Sequence, residues 1–309
     1  MPVTLTKDEA QRFLREHGHD ARELEPLTGG LWSAAFGFAE GEREYVVRFH
    51  DRRDDLEKDR FAGRWASPWL RTPRIVDIGD FGRGGYGISE RVHGTPLDAL
   101  DEAGMRRVLP SLLRSLDAIR DANVGATHGY GLWHGDGNGE RASWRDTLLD
   151  LGDGRDRMAE RRAFLATTRI GVAEFDLALS RLRELLPSCP DERHLVHNDL
   201  LNFNVLADDA GVVLLDWGAS IYGDFLYDAA LLVFWWPHPL YAKWSRIDIR
   251  TEVERHHKAT RLEIPHVAER LLCCELHIGL DHIAFQAEHQ MWDHAAWTAR
   301  RTRELALST

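Results

Sequence analysis

Residues 194–218 constrain the fold of this chain more than any other segment. Three short apolar runs within it have the length and composition of buried strands. Asp199 and Asn204 lie in the turn after the first run, and Asp216 directly follows the third. Asp and Asn are also common in turns for local reasons. Several polar matches at fixed spacing within one strand–loop–strand context favour a functional site instead.

The N-terminal third of the chain predicts a helix followed by antiparallel strands. The sequence Thr6-Lys7-Asp8-Glu9 has the form of a capping box and predicts a helix start. Residues 24–50 and 75–92 each predict a hairpin, because two apolar runs flank a turn. The first turn is polar and centred on Gly41, and the second is rich in glycine. Residues 54–66 between the hairpins predict a helix.

The remaining two-thirds predict mainly helices, around the strands of residues 194–216. The predicted helical segments are 97–122, 143–167, 172–187 and 226–306. The glycine-rich segment 125–139 is predicted to be a loop, either functional or a surface insertion. The fold class is therefore α+β, with an N-terminal unit at 1–92 built on a small antiparallel sheet and a larger, mainly helical unit at 93–309.

Composition narrows the possible partners. The formal net charge of −11 counts against nucleic acid and suits a cationic substrate, although solubility alone would also explain it. No apolar run is long enough to span a membrane, and the N-terminus does not look like a secretory signal. Three cysteines cannot form a disulfide framework. We therefore expect a cytoplasmic monomer without membrane or nucleic-acid partners.

The pattern in residues 194–218 resembles the catalytic loop and the Asp-Phe-Gly element of protein kinases. The short sequence separation between Asp199 and Asp216 is more similar to that in aminoglycoside phosphotransferases and related small-molecule kinases. This resemblance implies a bilobal protein-kinase-like fold, with ATP and Mg²⁺ as cofactors. GTP is not excluded as the nucleotide.

Phosphoryl transfer requires groups that position the reactants and neutralise charge. The resemblance assigns Asp199 to orient the acceptor hydroxyl and take its proton. Asn204 and Asp216 would hold Mg²⁺, which prefers hard oxygen ligands. His197 could act as a base or as a structural residue, and the resemblance favours the structural function.

The resemblance also places nucleotide-binding residues in the N-terminal unit. Arg48 stands on the strand where kinases carry a phosphate-binding lysine. Asp59 on the next helix is its expected partner, in preference to Glu57. Gly30 and Ser33 belong to the expected lid over the phosphates. The link between the lobes, expected to contact the adenine, contains Ser89, Glu90 and Arg91.

Within that family the chain looks like the hygromycin B 4-phosphotransferases in the segments YVVR at 45–48, PRIVDIGDF at 73–81, RHLVHNDLLNFNVL at 193–206 and LLDWGASIYGD at 214–224. This resemblance implies a small cationic aminoglycoside as substrate. Recognition of ammonium groups needs carboxylates, and sugar rings often pack on aromatic side chains. The candidates are Asp224, Asp228, Trp235, Trp236, Glu275 and Asp281. Each could equally be structural or part of the core.

Two other functions stay open at this point. The acceptor could be another antibiotic or a hydroxylated metabolite. The chain could also be a nucleotide-binding module without catalysis, although the presence of Asp199, Asn204 and Asp216 argues against that. The sequence therefore predicts a phosphotransferase and leaves the identity of its acceptor open.

Overall fold

The structure is a computed structural model that describes residues 3–27, 33–152 and 154–308. Its N-terminal part is one antiparallel sheet with two helices. In chain order the elements are α1 (Lys7–Glu16), β1 (Arg22–Leu27), β2 (Ser33–Glu40), β3 (Arg43–His50), α2 (Arg53–Ala62), β4 (Ile75–Phe81) and β5 (Gly84–Glu90). The five strands are hydrogen-bonded in the order β1-β2-β3-β5-β4.

Helix α1 closes one face of this sheet. Its predicted capping box is present: the Thr6 hydroxyl accepts from the Glu9 backbone, and the Glu9 carboxylate accepts from the Thr6 backbone at 2.8 Å. The helix buries Phe13 and Leu14, and the Phe13 ring meets Phe49 of β3 edge-on at 5.0 Å. A separate small core therefore holds the sheet and α1 together.

Helix α2, which connects β3 to β4, has an unusual buried face. Leu56 is buried, as expected for a helix against a sheet, but so are the charged residues Asp55, Lys58 and Asp59. Charged side chains are almost never fully buried unless they have partners. Helix α2 therefore contacts polar groups of the C-terminal part as well as the sheet.

The C-terminal part is mainly helical. Its elements are β6 (Thr95–Pro96), α3 (Glu102–Arg120), β7 (Tyr130–Trp133), β8 (Gly139–Arg141), α4 (Trp144–Leu148), β9 (Leu151–Gly152), β10 (Arg155–Asp156), α5 (Arg157–Leu165), α6 (Ala173–Leu185), β11 (His194–Val196), β12 (Val205–Asp208), β13 (Gly211–Leu214), β14 (Ile221–Gly223), α7 (Leu226–Trp235), α8 (Ile249–Ala259), α9 (Val267–Glu288) and α10 (Trp292–Leu307).

Two small sheets in this part carry the site. One has the order β11-β14-β7-β8, and the other has the order β13-β12-β6. The loop from β11 to β12 connects the first sheet to the second, and the segment from β13 to β14 leads back from the second sheet to the first. Helix α9 packs against α6, α7 and α10 behind the sheets. The predicted α+β arrangement, with an N-terminal antiparallel sheet and a helical remainder, is confirmed.

Two local predictions were wrong. Residues 125–139 contain strand β7 and the start of β8 rather than a loop, because β7 pairs with β14 far along the chain. Residues 143–167 form helices α4 and α5 with the hairpin β9–β10 between them, not one helix. Within the described ranges, none of the helices combines the length and apolarity needed to cross a membrane.

Candidate active site

The loop between β11 and β12 is held from beneath by buried contacts. The backbone N–H groups of His197 and Asn198 both donate to the Asp228 carboxylate, at 2.9 and 2.8 Å. The His197 ring is buried against Trp217, and its Nε2 lies 3.0 Å from the Leu215 carbonyl oxygen. Because a carbonyl can only accept, Nε2 must carry the proton. Burial lowers the pKa of His197 to about 4, and these contacts support its predicted structural function.

Asp199 and Asn204 are brought into direct contact at the two ends of this loop. The Asn204 amide nitrogen donates to Asp199 Oδ2 at 2.6 Å. Burial, and secondly the negative charge of Asp216, raise the pKa of Asp199 to about 7. A carboxylate with a pKa near neutrality can exchange a proton readily at physiological pH.

Asp216 begins the turn after β13 in a left-handed backbone conformation, with φ of 59°. Its Oδ2 lies 3.2 Å from the Arg48 guanidinium on β3, and Arg48 also pairs with Asp59 on α2. Asp59 in turn accepts a hydrogen bond of 2.8 Å from the Trp217 backbone. The predicted pair Arg48–Asp59 is thus in contact, whereas Glu57 contacts Arg53 and Arg60.

Electrostatics in this cluster depend on the balance between burial and pairing. Burial raises the pKa of Asp59 to about 6, although Arg48 opposes the shift. Burial also acts on Asp216, but Arg48 and His50 hold the pKa of that carboxyl below its usual value. Asp216 is therefore an anion that faces a guanidinium, as expected for a group that handles phosphate and metal charge.

A cleft of about 480 Å³ opens beside this cluster, between the N-terminal sheet and the C-terminal part. Its inner walls are apolar: Leu27, Ala35, Val46, Ile75, Leu206 and Leu215. Arg48, Asp59, Asn204 and Asp216 line its polar end. An apolar slot with charged groups at one end suits a purine base attached to phosphates.

The other predicted nucleotide contacts lie around the same cleft. Ser33, Ser89, Glu90 and Arg91 all line it. The side chains of Glu90 and Arg91 are paired with Arg74 and Glu25, which leaves recognition to the backbone. The Gly30 prediction lies outside the described residues.

The oxygens of Asn204 and Asp216 fit a magnesium ion in chemical type. An amide and a carboxylate are hard oxygen donors, and both line the polar end of the cleft. The described residues contain no group of three or more His, Cys, Asp or Glu side chains arranged around a metal. Such a pair would hold Mg²⁺ only together with phosphate oxygens and water, as is usual for nucleotide kinases.

Two predicted substrate carboxylates are instead structural. Asp224 is fully buried and pairs with Arg270, with its Oδ2 at 2.8 Å from the guanidinium Nε. Asp228 is 2% exposed and both of its oxygens accept the backbone hydrogen bonds of the 197–198 segment. Neither carboxylate is available to a ligand, because burial and existing partners occupy both.

The other four predicted substrate residues divide into two groups. Glu275 is buried and paired with Arg250 at 2.8 Å, and Trp236 is buried with its indole N–H donating to the Ile247 carbonyl at 2.9 Å. The Asp281 side chain is 39% exposed and pairs with Arg161. Trp235 is half-buried and stacks on Trp297 at 5.6 Å. Only Asp281 and Trp235 keep a surface that a substrate could contact.

Comparison with known proteins identifies the family. A family model described as "Phosphotransferase enzyme family" matches residues 23–261, which is most of the chain. The chain belongs to this phosphotransferase family. Its fold and enzyme class therefore agree with the predicted small-molecule kinase.

Individual relatives of this phosphotransferase narrow the comparison to particular enzymes. It is 33% identical to hygromycin-B 4-O-kinase from Escherichia coli over 304 residues, covering 96% of the chain and 84% of the relative. It superposes on the crystal structure of the aminoglycoside phosphotransferase APH(4)-Ia with a TM-score of 0.84 at 29% identity, covering 97% and 98% of the two chains. A ternary complex of a thermostable mutant of that enzyme with AMP-PNP and hygromycin B gives 0.82 at 31% identity, covering 96% and 97%.

Sequence reasoning about this phosphotransferase missed several residues near the site. Lys58 is buried, and its Nζ donates to carbonyl groups of the turn after Asp216. Phe203, which is 39% exposed, and Asp98 line the mouth of the cleft. Lys58 stands in the sequence Glu-Lys-Asp-Arg, which reads as an ordinary exposed helix face, so no local signal distinguished it.

Proposed function

We propose that this phosphotransferase transfers the γ-phosphoryl group of ATP to a hydroxyl group of an aminoglycoside, with hygromycin B as the first candidate acceptor. The observation that carries the proposal is the meeting of Asn204 and Asp216 with the Arg48–Asp59 pair at the polar end of one cleft. Asp199 lies directly behind this end, hydrogen-bonded to the Asn204 amide. The similarity to hygromycin-B 4-O-kinase over almost the whole chain supports the choice of acceptor.

In this proposal the nucleotide base occupies the apolar part of the cleft, and Arg48 contacts the phosphates. Asp59 orients Arg48, and Ser33 and the backbone of residues 89–91 complete the nucleotide site. Asn204 and Asp216 would hold Mg²⁺, which neutralises phosphate charge when it is bound. We take ATP as the first candidate nucleotide, because the slot is apolar and suits adenine. The turnover assay compares ATP with GTP.

Asp199 acts on the acceptor. Its carboxylate accepts a hydrogen bond from the acceptor hydroxyl and takes the proton as the oxygen attacks phosphorus. The Asn204 amide holds Asp199 Oδ2, which leaves Oδ1 to face the acceptor. Asp281 and Trp235 are the proposed contacts for an ammonium group and a sugar ring of the aminoglycoside.

The proposal is tested by nucleotide turnover with a panel of acceptors. Purified protein is incubated with Mg²⁺ and either ATP or GTP, and release of the diphosphate is followed with hygromycin B, other aminoglycosides, a neutral macrolide or no acceptor. Turnover that requires an aminoglycoside supports the proposal. Turnover with the macrolide but with none of the aminoglycosides would show that the proposed acceptor is wrong. Nucleotide binding without turnover would indicate a non-catalytic module.

We further propose that the protein acts as a cytoplasmic monomer without nucleic-acid partners and confers resistance. Phosphorylation adds negative charge to a cationic drug and so weakens its binding to an anionic target. Expression in a susceptible bacterium should raise the inhibitory concentration of hygromycin B, and light scattering should give the monomer mass of 35.3 kDa. Unchanged susceptibility despite soluble expression would count against the resistance function.

A further inference from the structure

Lys58 is the most buried cation near the site, and the proposed chemistry does not use it directly. Its side chain has no exposed surface, although it lies in a helix whose neighbouring positions include exposed Arg60. Burying an ammonium group costs several kcal/mol unless other groups compensate. A buried lysine therefore needs a structural reason, and its contacts supply one.

The Lys58 ammonium group is bonded to the turn that follows Asp216. Its Nζ donates to the Gly218 carbonyl at 2.6 Å and to the Ser220 carbonyl at 3.0 Å, and it lies 4.7 Å from the centre of the Trp133 ring. Two carbonyl dipoles and an aromatic face replace the water that burial removes. These acceptors all belong to the C-terminal part, whereas Lys58 belongs to α2.

Neighbouring residues of α2 bind the same turn through groups of opposite polarity. Asp59 accepts from the Trp217 backbone N–H, while Lys58 donates to the two carbonyls that follow it. Asp55 packs against the turn as well, and a Cβ atom added to Gly218 would lie 3.2 Å from the Asp55 side chain. Lys58 and Asp59 thus bind both the acceptors and the donor of a single short turn, and Asp55 packs beside them.

This turn determines where the Asp216 carboxylate points. Asp216 has φ of 59°, a conformation that non-glycine residues adopt at a cost and only when the surrounding structure enforces it. Arg48 contacts the Asp216 side chain but not the turn carbonyls. Without Lys58, the segment 218–220 would lose its hydrogen-bond donor from α2, and the backbone at Asp216 would lose one of its restraints.

We infer that Lys58 is a positioning residue that holds the 216–220 turn against α2, so that Asp216 is aimed at the metal bound with the nucleotide. The inference rests on the proposed function, because it deepens the account of the same metal site. Residues that orient a metal ligand typically affect metal affinity by about 10-fold to 100-fold when they are removed.

The test compares Lys58→Met with wild type by binding of a fluorescent ATP analogue, first without Mg²⁺ and then during a Mg²⁺ titration. Lys58→Met should bind the metal-free nucleotide within about twofold of wild type, because Arg48 is untouched. Its half-saturating Mg²⁺ concentration should rise by about 10-fold or more. In turnover assays kcat should fall, while KM for the aminoglycoside stays unchanged.

Lys258→Met is the matched control, because Lys258 is exposed on α8 and its substitution removes the same charge from the chain. It should reproduce wild type in every measurement. A general loss of folded protein would scale all signals down without moving the Mg²⁺ midpoint. If Lys58→Met fails to fold, Lys58→Gln, which keeps an amide NH2 donor in place of the ammonium group, is put through the same titration.

The outcomes separate this inference from the proposed function. A wild-type protein that binds nucleotide with no dependence on Mg²⁺ would overturn the proposed metal site itself. A Mg²⁺-dependent wild type together with a folded Lys58 variant whose Mg²⁺ midpoint lies within twofold of it would overturn only the function of Lys58. A midpoint raised in the Lys58 variant but not in Lys258→Met supports the inference.

Discussion

At the scale of single residues, Asp199 is the proposed catalytic carboxylate, and its environment raises its pKa. Burial and the nearby Asp216 both favour the protonated form, and the Asn204 amide only partly offsets them. Only the ionised form can take a proton from the acceptor. The activity of the free enzyme should therefore depend on pH near neutrality.

The predicted pH profile follows from the pKa of about 7 for Asp199. As pH falls below about 7, kcat/KM for the aminoglycoside should fall about tenfold per pH unit. Asp281→Asn, which alters a proposed substrate contact, should raise KM but keep the same acidic limb. A kcat/KM that stays level from pH 8 to pH 5 would contradict an Asp199 carboxyl with a raised pKa.

Asp224 provides a second residue-level prediction, on stability. Asp224→Ala would leave Arg270, which is 1% exposed, with the partly exposed Glu192 as its remaining ionic partner. Removing one member of a buried ion pair costs about 3–5 kcal/mol. Urea unfolding should show this loss for Asp224→Ala and a change below about 1 kcal/mol for Asp281→Asn. If Asp224→Ala keeps wild-type stability and only raises KM, Asp224 is a substrate residue after all.

At the scale of elements, helix α2 is attached to the C-terminal part at a second place besides the 216–220 turn. Asp54, in its first turn, accepts from the Gly135 backbone N–H at 2.8 Å and contacts His134 Nδ1 at 3.0 Å. Gly137 of the same β7–β8 connection faces the Phe61 ring, where an added Cβ would lie 2.2 Å from a ring carbon. The tip of the hairpin is therefore docked along α2.

Asp54→Ala should release this hairpin tip. The loss of two hydrogen bonds to a carboxylate should lower the free energy of unfolding by about 1.5–3 kcal/mol. Amide hydrogen exchange should also accelerate at residues 134–138. Asp209→Ala, which removes an exposed carboxylate from the β12–β13 turn, is the control and should change neither quantity. Unchanged exchange at the tip would show that Asp54 does not hold it.

The elements also show why parts of the fold could be predicted and others not. The capping box of α1 and the β2–β3 and β4–β5 hairpins depend on neighbouring residues, so their sequence pattern was sufficient. Strand β7 was missed although one partner, β8, is local, because the glycines of this segment favoured a loop. Its other partner, β14, lies about 90 residues further along the chain.

The same distinction applies within the site. Asp199, Asn204 and Asp216 could be proposed as site residues because their spacing is fixed within one segment of the sequence. The functions of Asp224, Asp228 and Lys58 depend on partners far away: Arg270, the 197–198 backbone and the Gly218 carbonyl. No sequence pattern distinguishes a carboxylate that binds an arginine from one that binds an ammonium group of a ligand.

At the scale of the whole molecule, the cleft proposed for the nucleotide lies between the N-terminal sheet and the C-terminal part, so a nucleotide bound there would contact both. A ligand that binds only the folded state stabilises it by an amount set by its concentration relative to Kd, about 2.7 kcal/mol at 100 times Kd. Thermal unfolding should therefore shift upward with ATP, and further with ATP and Mg²⁺.

Asp216→Asn isolates the metal contribution to this shift. The variant loses a carboxylate at the polar end of the cleft but keeps Arg48 and the apolar slot. It should retain the shift caused by ATP alone and lose most of the additional shift caused by Mg²⁺. An equal Mg²⁺ increment in the variant and in wild type would remove Asp216 from the metal site.

We propose that this phosphotransferase modifies an aminoglycoside with Asp199 as the carboxylate that acts on the acceptor. The most direct measurement is mass spectrometry of hygromycin B after incubation with Mg²⁺-ATP and either wild type or Asp199→Asn. We predict drug that is one phosphoryl group heavier with wild type, and almost none with Asp199→Asn although that variant still binds nucleotide. Unmodified drug with a wild-type protein that binds nucleotide, or equal product from both proteins, would contradict the account.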